Sequence, residues 1–145
     1  MFVIERESLM SKKVNGIGGV FFKAKDPAKL GDWYAKNLDF DFGEYGPMTT
    51  FDWKHADDPS KNGTTAWSIF PQDSDYFGSD DARFMINYIV EDLDTLMASL
   101  KAAGVEVIRE VQDSPYGRFA AIKDPEGNGI ELWQASDDDE SATTN

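Results

Sequence analysis

The sequence predicts an α+β domain built from two βαβββ modules related by a pseudo-twofold, and three observations carry that prediction. A D-P-x-x-N-G motif occurs twice, at Asp58-Pro59-Ser60-Lys61-Asn62-Gly63 and at Asp124-Pro125-Glu126-Gly127-Asn128-Gly129, 66 residues apart. The same offset sets Val20 to Leu38 on Ile86 to Gly104 without a gap, and sets Ala24 on Val90, Asp26 on Asp92, Leu30 on Leu96 and Trp67 on Trp133. Both aligned stretches begin as an alternating apolar run, pass through an Asp, and continue with helical periodicity. Two copies imply a paired domain rather than a solenoid.

The elements follow in order. Residues 1–13 form an N-terminal extension, and the first module spans 14–71. Ile17 to Ala24 reads as a strand with Val20, Phe22 and Ala24 on one face and Gly19, Phe21 and Lys23 on the other. Asp26 is a good N-cap, and Pro27 suits the first helical position. Leu30, Trp33, Tyr34 and Leu38 then make one apolar stripe, against which the Val20 face should pack. Strands are expected near Asp39 to Glu44, Thr49 to Lys54 and Thr64 to Phe70, punctuated by Gly43, Gly46-Pro47 and the first D-P-x-x-N-G turn. A connector, 72–82, is polar apart from Tyr76 and Phe77.

The second module, 83–135, repeats the plan. Phe84, Ile86, Tyr88 and Val90 alternate with Met85, Asn87 and Ile89. Asp92 caps a helix with Leu93, Leu96, Met97 and Leu100 on one stripe, and Gly104 offers a C-terminal stop. Strands are expected near Val105 to Val111, Arg118 to Lys123 and Ile130 to Gln134. Residues 136–145 form an acidic tail, expected to be solvated and disordered.

Composition narrows the function. The chain has 145 residues, suited to one compact domain, and 41% hydrophobic residues, enough for a core. A net charge of −13 argues against nucleic acid or an anionic membrane as partner. There is no cysteine, hence no disulfide or thiolate chemistry. Glu5, Arg6 and Glu7 interrupt the apolar start, which is unlike a secretory signal, and a cytoplasmic location is the default expectation.

The V-F-F-K-A-K-D-P run before a W-Y helix, N-Y-I-V-E-D-L-D, A-A-G-V, Y-G-R-F and D-P-E-G-N-G-I-E-L-W together resemble the vicinal oxygen chelate superfamily. That group includes glyoxalase I, bleomycin-resistance proteins, fosfomycin-resistance enzymes and extradiol dioxygenases. The resemblance covers about residues 14–135 and implies an open, cupped mixed sheet around a ligand cleft, in a protein that pairs as a homodimer. It also implies a divalent metal held by four positions, which here are Gly19, Thr65, Met85 and Glu131. Only Glu131 is a competent ligand for a hard or borderline ion, so no metal or other cofactor is expected. The single histidine, His55, excludes a two-histidine dioxygenase site and falls in a turn.

By strand alternation the cleft should be lined by Phe21, Lys23, Trp67, Met85, Asn87, Glu131 and Trp133, with Arg118, Tyr116 and Trp53 at its rim. Trp67 and Trp133 would face each other across it and suit a flat or cationic ligand. The alternative is that these aromatics fill the cup as a second core or a dimer contact. Glu131 has three readings: a general acid or base with a raised pKa, a solvated rim group, or a carboxylate paired with Lys23 or Arg118. Two nearby cations favour pairing. The expected function is metal-free binding of a small aromatic or amphipathic molecule, as the bleomycin-resistance branch suggests. The alternatives are a glyoxalase-like lyase or isomerase with Glu131 as its catalytic residue, and a metal-independent enzyme.

Overall fold

A computed structural model describes residues 13–44 and 46–136. Apart from Lys13 and Ser136, the N-terminal extension and the acidic tail lie outside the described residues. Among the described residues nine elements follow in order: β1 (Val14–Ala24), α1 (Pro27–Leu38), β2 (Met48–Lys54), β3 (Asn62–Pro71), β4 (Phe84–Val90), α2 (Leu93–Ala102), β5 (Val107–Ser114), β6 (Gly117–Lys123) and β7 (Gly129–Ala135). The strands form one mixed sheet in the order β2-β3-β1-β4-β7-β6-β5. At its centre β1 and β4 pair antiparallel, with Val20 opposite Ile86. Each then pairs in parallel with the last strand of its own half, β1 with β3 and β4 with β7.

Both helices start as the sequence predicts. The Asp26 side chain accepts from the Lys29 backbone N–H, Asp92 accepts from that of Thr95, and Pro27 sits at the start of α1. Gly104, at φ +81°, follows α2 and lets the chain turn into β5. No helix among the described residues is long and apolar enough to cross a membrane.

The first half lacks one expected strand. Residues 39–44 form none, so that half is βαββ while the second is βαβββ. Asp39 closes α1 in the left-handed region at φ +60° and turns the chain back. Phe40 and Phe42 then lie on Trp67, with centroids at 4.7 and 5.8 Å. Pro47 covers the bare Cα of Gly31, where an added Cβ would stand 2.7 Å from the Pro47 Cβ. Side chains that would have faced a neighbouring strand pack on the helix side of β3 instead.

The apolar stripe of α1 is only partly used. Leu30 and Tyr34 are half-buried, whereas Trp33 and Leu38 remain 53% and 54% exposed. The dry core belongs to the second half: Val90, Leu93, Met97, Ala120, Ile122 and Leu132 pack together between α2 and the sheet. Burying such side chains contributes about 25 cal/mol per Å² of apolar surface removed from water.

Candidate functional site

The sheet face opposite the helices holds a cavity of about 670 Å³. Its walls come from all but one of the strands. Phe21 and Gly18 stand on β1, Met48 and Thr50 on β2, and Thr64, Ala66, Ser68 and Phe70 on β3. Asn87 on β4, Phe119 on β6, Glu131 and Trp133 on β7, and Tyr116 in the β5–β6 turn close the other side. Gly18 and Phe21 share this face because the β1–β4 register shifts between Ile17 and Gly19. Trp133 stacks on Phe119 with centroids 5.7 Å apart and planes 4° off parallel, and its Nε1 donates to the Tyr116 carbonyl at 2.8 Å.

Glu131 lies at the floor, 3% exposed. The Asn87 Nδ2 donates to its Oε1 at 2.7 Å, and the Tyr76 hydroxyl donates to its Oε2. Burial pushes its pKa up to about 7 despite these two donors. The Tyr76 ring is itself held, stacked on Phe70 at 5.7 Å and lying under the Arg109 guanidinium at 4.0 Å. Phe77, fully buried, packs with Met85 and Ala121.

Of the residues expected in the cleft, Phe21, Asn87, Glu131 and Trp133 line the cavity, with Tyr116 at its edge. The others do not. Trp67 faces the helices, 4.9 Å from Tyr34 and 5.2 Å from Phe22, so it never confronts Trp133. Thr65 shares that face: its hydroxyl donates to the Ile17 carbonyl at 2.5 Å and accepts from Trp53 Nε1 at 2.8 Å. The cause is parity, since β3 turns its even-numbered side chains to the cavity and β7 its odd-numbered ones. An offset of 66 preserves parity and therefore fails on β3.

Met85 is fully buried beneath Phe77 rather than lining the space. Lys23 is buried at the sheet's end, its ammonium donating to the Ser79 carbonyl at 3.4 Å and lying 5.2 Å from the Phe77 ring centroid. Arg118 points to solvent, where it meets Asp94 at 2.6 Å and Asp113 at 2.9 Å. Neither pairs with Glu131, which corrects the expected ion pair. Tyr76, in the polar connector, is the partner instead, and the two aromatics of that segment are the signal for it in the sequence.

These residues do not fit a divalent metal. Of the four positions the resemblance implies, Thr65 is on the wrong face, Met85 is covered, Gly19 has no side chain, and Glu131 stands alone. Among the described residues no three His, Cys, Asp or Glu side chains gather in a group able to hold an ion. His55 lies beside Trp53, 5.1 Å between ring centroids, and does not line the cavity.

Comparison with known proteins agrees with the architecture. A family model described as the Glyoxalase/Bleomycin resistance protein/Dioxygenase superfamily matches residues 16–132. No curated protein matches the chain. Among solved structures, a methylmalonyl-CoA epimerase from Streptomyces coelicolor in complex with 2-nitronate-propionyl-CoA aligns with TM-score 0.61 and 15% identity, over 86% of this chain and 96% of that one. The methylmalonyl-CoA epimerase from Mycobacterium tuberculosis gives TM-score 0.54 and 17% identity, over 86% and 91%. A glyoxalase/bleomycin resistance protein/dioxygenase superfamily member from Vibrio splendidus 12B01 gives 0.53 and 10%, over 81% and 97%. At such identities the likeness is one of fold.

Proposed function

We infer that this chain, which belongs to the Glyoxalase/Bleomycin resistance protein/Dioxygenase superfamily, binds a small aromatic or amphipathic molecule in a metal-free cleft. The observation that carries this reading is the open cavity of about 670 Å³, walled by Phe21, Phe70, Phe119 and Trp133 above a single carboxylate. That volume and that mixture of aromatic walls with few polar groups suit a drug-sized ligand. Holding such a molecule needs no catalytic group, which accords with three of four ligand positions that cannot bind a hard ion.

A second reading is favoured by Glu131. A buried carboxyl that titrates near pH 7 is suited to move a proton, with Tyr76 holding its other oxygen. The cleft would then serve a metal-independent enzyme. The Streptomyces coelicolor epimerase named above is in complex with 2-nitronate-propionyl-CoA, and coenzyme A compounds are polyanions. A net charge of −13 and an uncompensated carboxylate at the floor disfavour that substrate class here.

Thermal unfolding with a panel of bicyclic aromatic compounds tests the binding reading. A ligand at about 100 times its Kd should add roughly 2.7 kcal/mol to stability. Ala66→Phe, which projects a ring into the cavity, should remove the shift. Metal analysis of the purified protein should find far less than one divalent ion per chain, and stoichiometric metal would overturn the metal-free part.

A further inference from the structure

We propose that the cleft selects an organic cation whose head carries at least two N–H groups, a primary ammonium or a guanidinium, seated between Glu131 and Asn87. The proposal rests on the reading of the cleft as a binding site and names the ligand class. Its first support is an orphaned acceptor. Asn87 is 2% exposed, and because its Nδ2 donates to Glu131 its Oδ1 is left as a buried oxygen without a partner. Such atoms are rare in folded proteins and call for a partner. Both Asn87 and Gly18 line the cavity, and a Cβ at position 18 would collide with that oxygen. The glycine is what lets the Asn87 amide pack so closely against β1.

The second support is charge. Glu131 is almost fully buried; among the described residues no cation lies against it, and every ion pair lies at the surface. A buried charge is costly until an opposite charge meets it. The two basic residues that the sequence places nearest are committed elsewhere, Lys23 to the Ser79 carbonyl and Arg118 to two aspartates. The third support is the wall: Phe119 and Trp133 line the cavity, and aromatic rings attract a cation electrostatically. At longer range, a net charge of −13 concentrates cations around the protein.

Both residues line the one cavity, Glu131 carrying the negative oxygens and Asn87 the neutral one without a partner. A primary ammonium offers three donors and a guanidinium offers five, so either satisfies both acceptors at once. A quaternary ammonium brings charge without a donor, and an alcohol brings one donor without charge.

Calorimetry with 2-(2-naphthyl)ethylamine, its N,N,N-trimethyl derivative and 2-(2-naphthyl)ethanol separates these features. The amine should bind at least tenfold more tightly than either analogue, and Glu131→Gln should remove most of that advantage. Should that variant not fold, the wild type still decides. The groups facing Glu131 are the Tyr76 hydroxyl and the Asn87 amide, with Arg109 behind the Tyr76 ring and Lys23 turned away to Ser79. A cation favours the ionised carboxylate, so amine binding should strengthen as pH rises through about 7 and release protons below it. Alcohol binding should not. Equal affinity for amine and alcohol would overturn the proposal while leaving the cleft a binding site. Equal affinity for the amine and its trimethyl derivative would overturn the two-donor requirement. If none of the three binds the folded protein, this proposal and the binding reading fall together.

Discussion

The second half of the sheet packs Val90, Leu93, Met97, Ala120, Ile122 and Leu132 into a dry aliphatic core under α2. The first half packs Phe22, Tyr34, Phe40, Phe42 and Trp67 under α1 in edge-to-face, tilted and stacked pairs, none of them fully buried. Yet 66 residues separate matching positions in both. The contrast is sharpest at one such pair. Met97 is 3% exposed within the second core, whereas its counterpart Gly31 has no side chain, and Pro47 occupies the space. In the first half an irregular segment fills a gap that side chains of the helix fill in the second. A repeated sequence thus specifies a shared entry, strand to cap to helix, more firmly than a shared core.

If the second half carries most of the stability, Leu93→Ala, at a fully buried site, should cost about 2–5 kcal/mol in denaturant unfolding. A loss below 1 kcal/mol would break the contrast. The next effect has the opposite sign. Burial holds the Glu131 pKa at about 7 in the folded protein, above the 4.5 of an unperturbed Glu. The folded state therefore binds the proton more tightly than the unfolded chain, and stability falls as pH rises from about 4.5 to 7. Glu131→Gln should raise stability above pH 7 by an amount on the order of 3 kcal/mol and leave it unchanged below pH 4.5, as thermal melts across pH would show. Gly31→Ala gains helix propensity of about 1 kcal/mol but meets the Pro47 ring, and a net loss of about 1 kcal/mol is expected. Least of all, Trp33→Ala should change stability by no more than about 0.5 kcal/mol, because that residue is already more than half exposed.

Much of the fold was legible because its signals are local. The caps at Asp26 and Asp92, the stop at Gly104 and the alternation in β1, β4 and β7 each depend on near neighbours. The strand expected at 39–44 was not legible, since its loss follows from tertiary contacts of Phe40 and Phe42 with Trp67. On β7 the alternation placed Glu131 and Trp133 correctly. On β3 it placed Thr65 and Trp67 wrongly, because a register carried over from the other half contains no record of a one-residue change in parity. Tyr76 escaped notice for a different reason. It reaches Glu131 from 55 residues away along a segment without periodicity, and only the folded chain brings the two together.

The central claim is that the two repeat-equivalent tryptophans serve opposite faces, Trp67 the helix side and Trp133 the cavity. The indole N–H signals in a proton–nitrogen correlation spectrum report on both, assigned with Trp67→Phe and Trp133→Phe. Titration with 2-(2-naphthyl)ethylamine should move the Trp133 signal and leave that of Trp67 in place. Movement of the Trp67 signal with Trp133 unchanged would contradict the account.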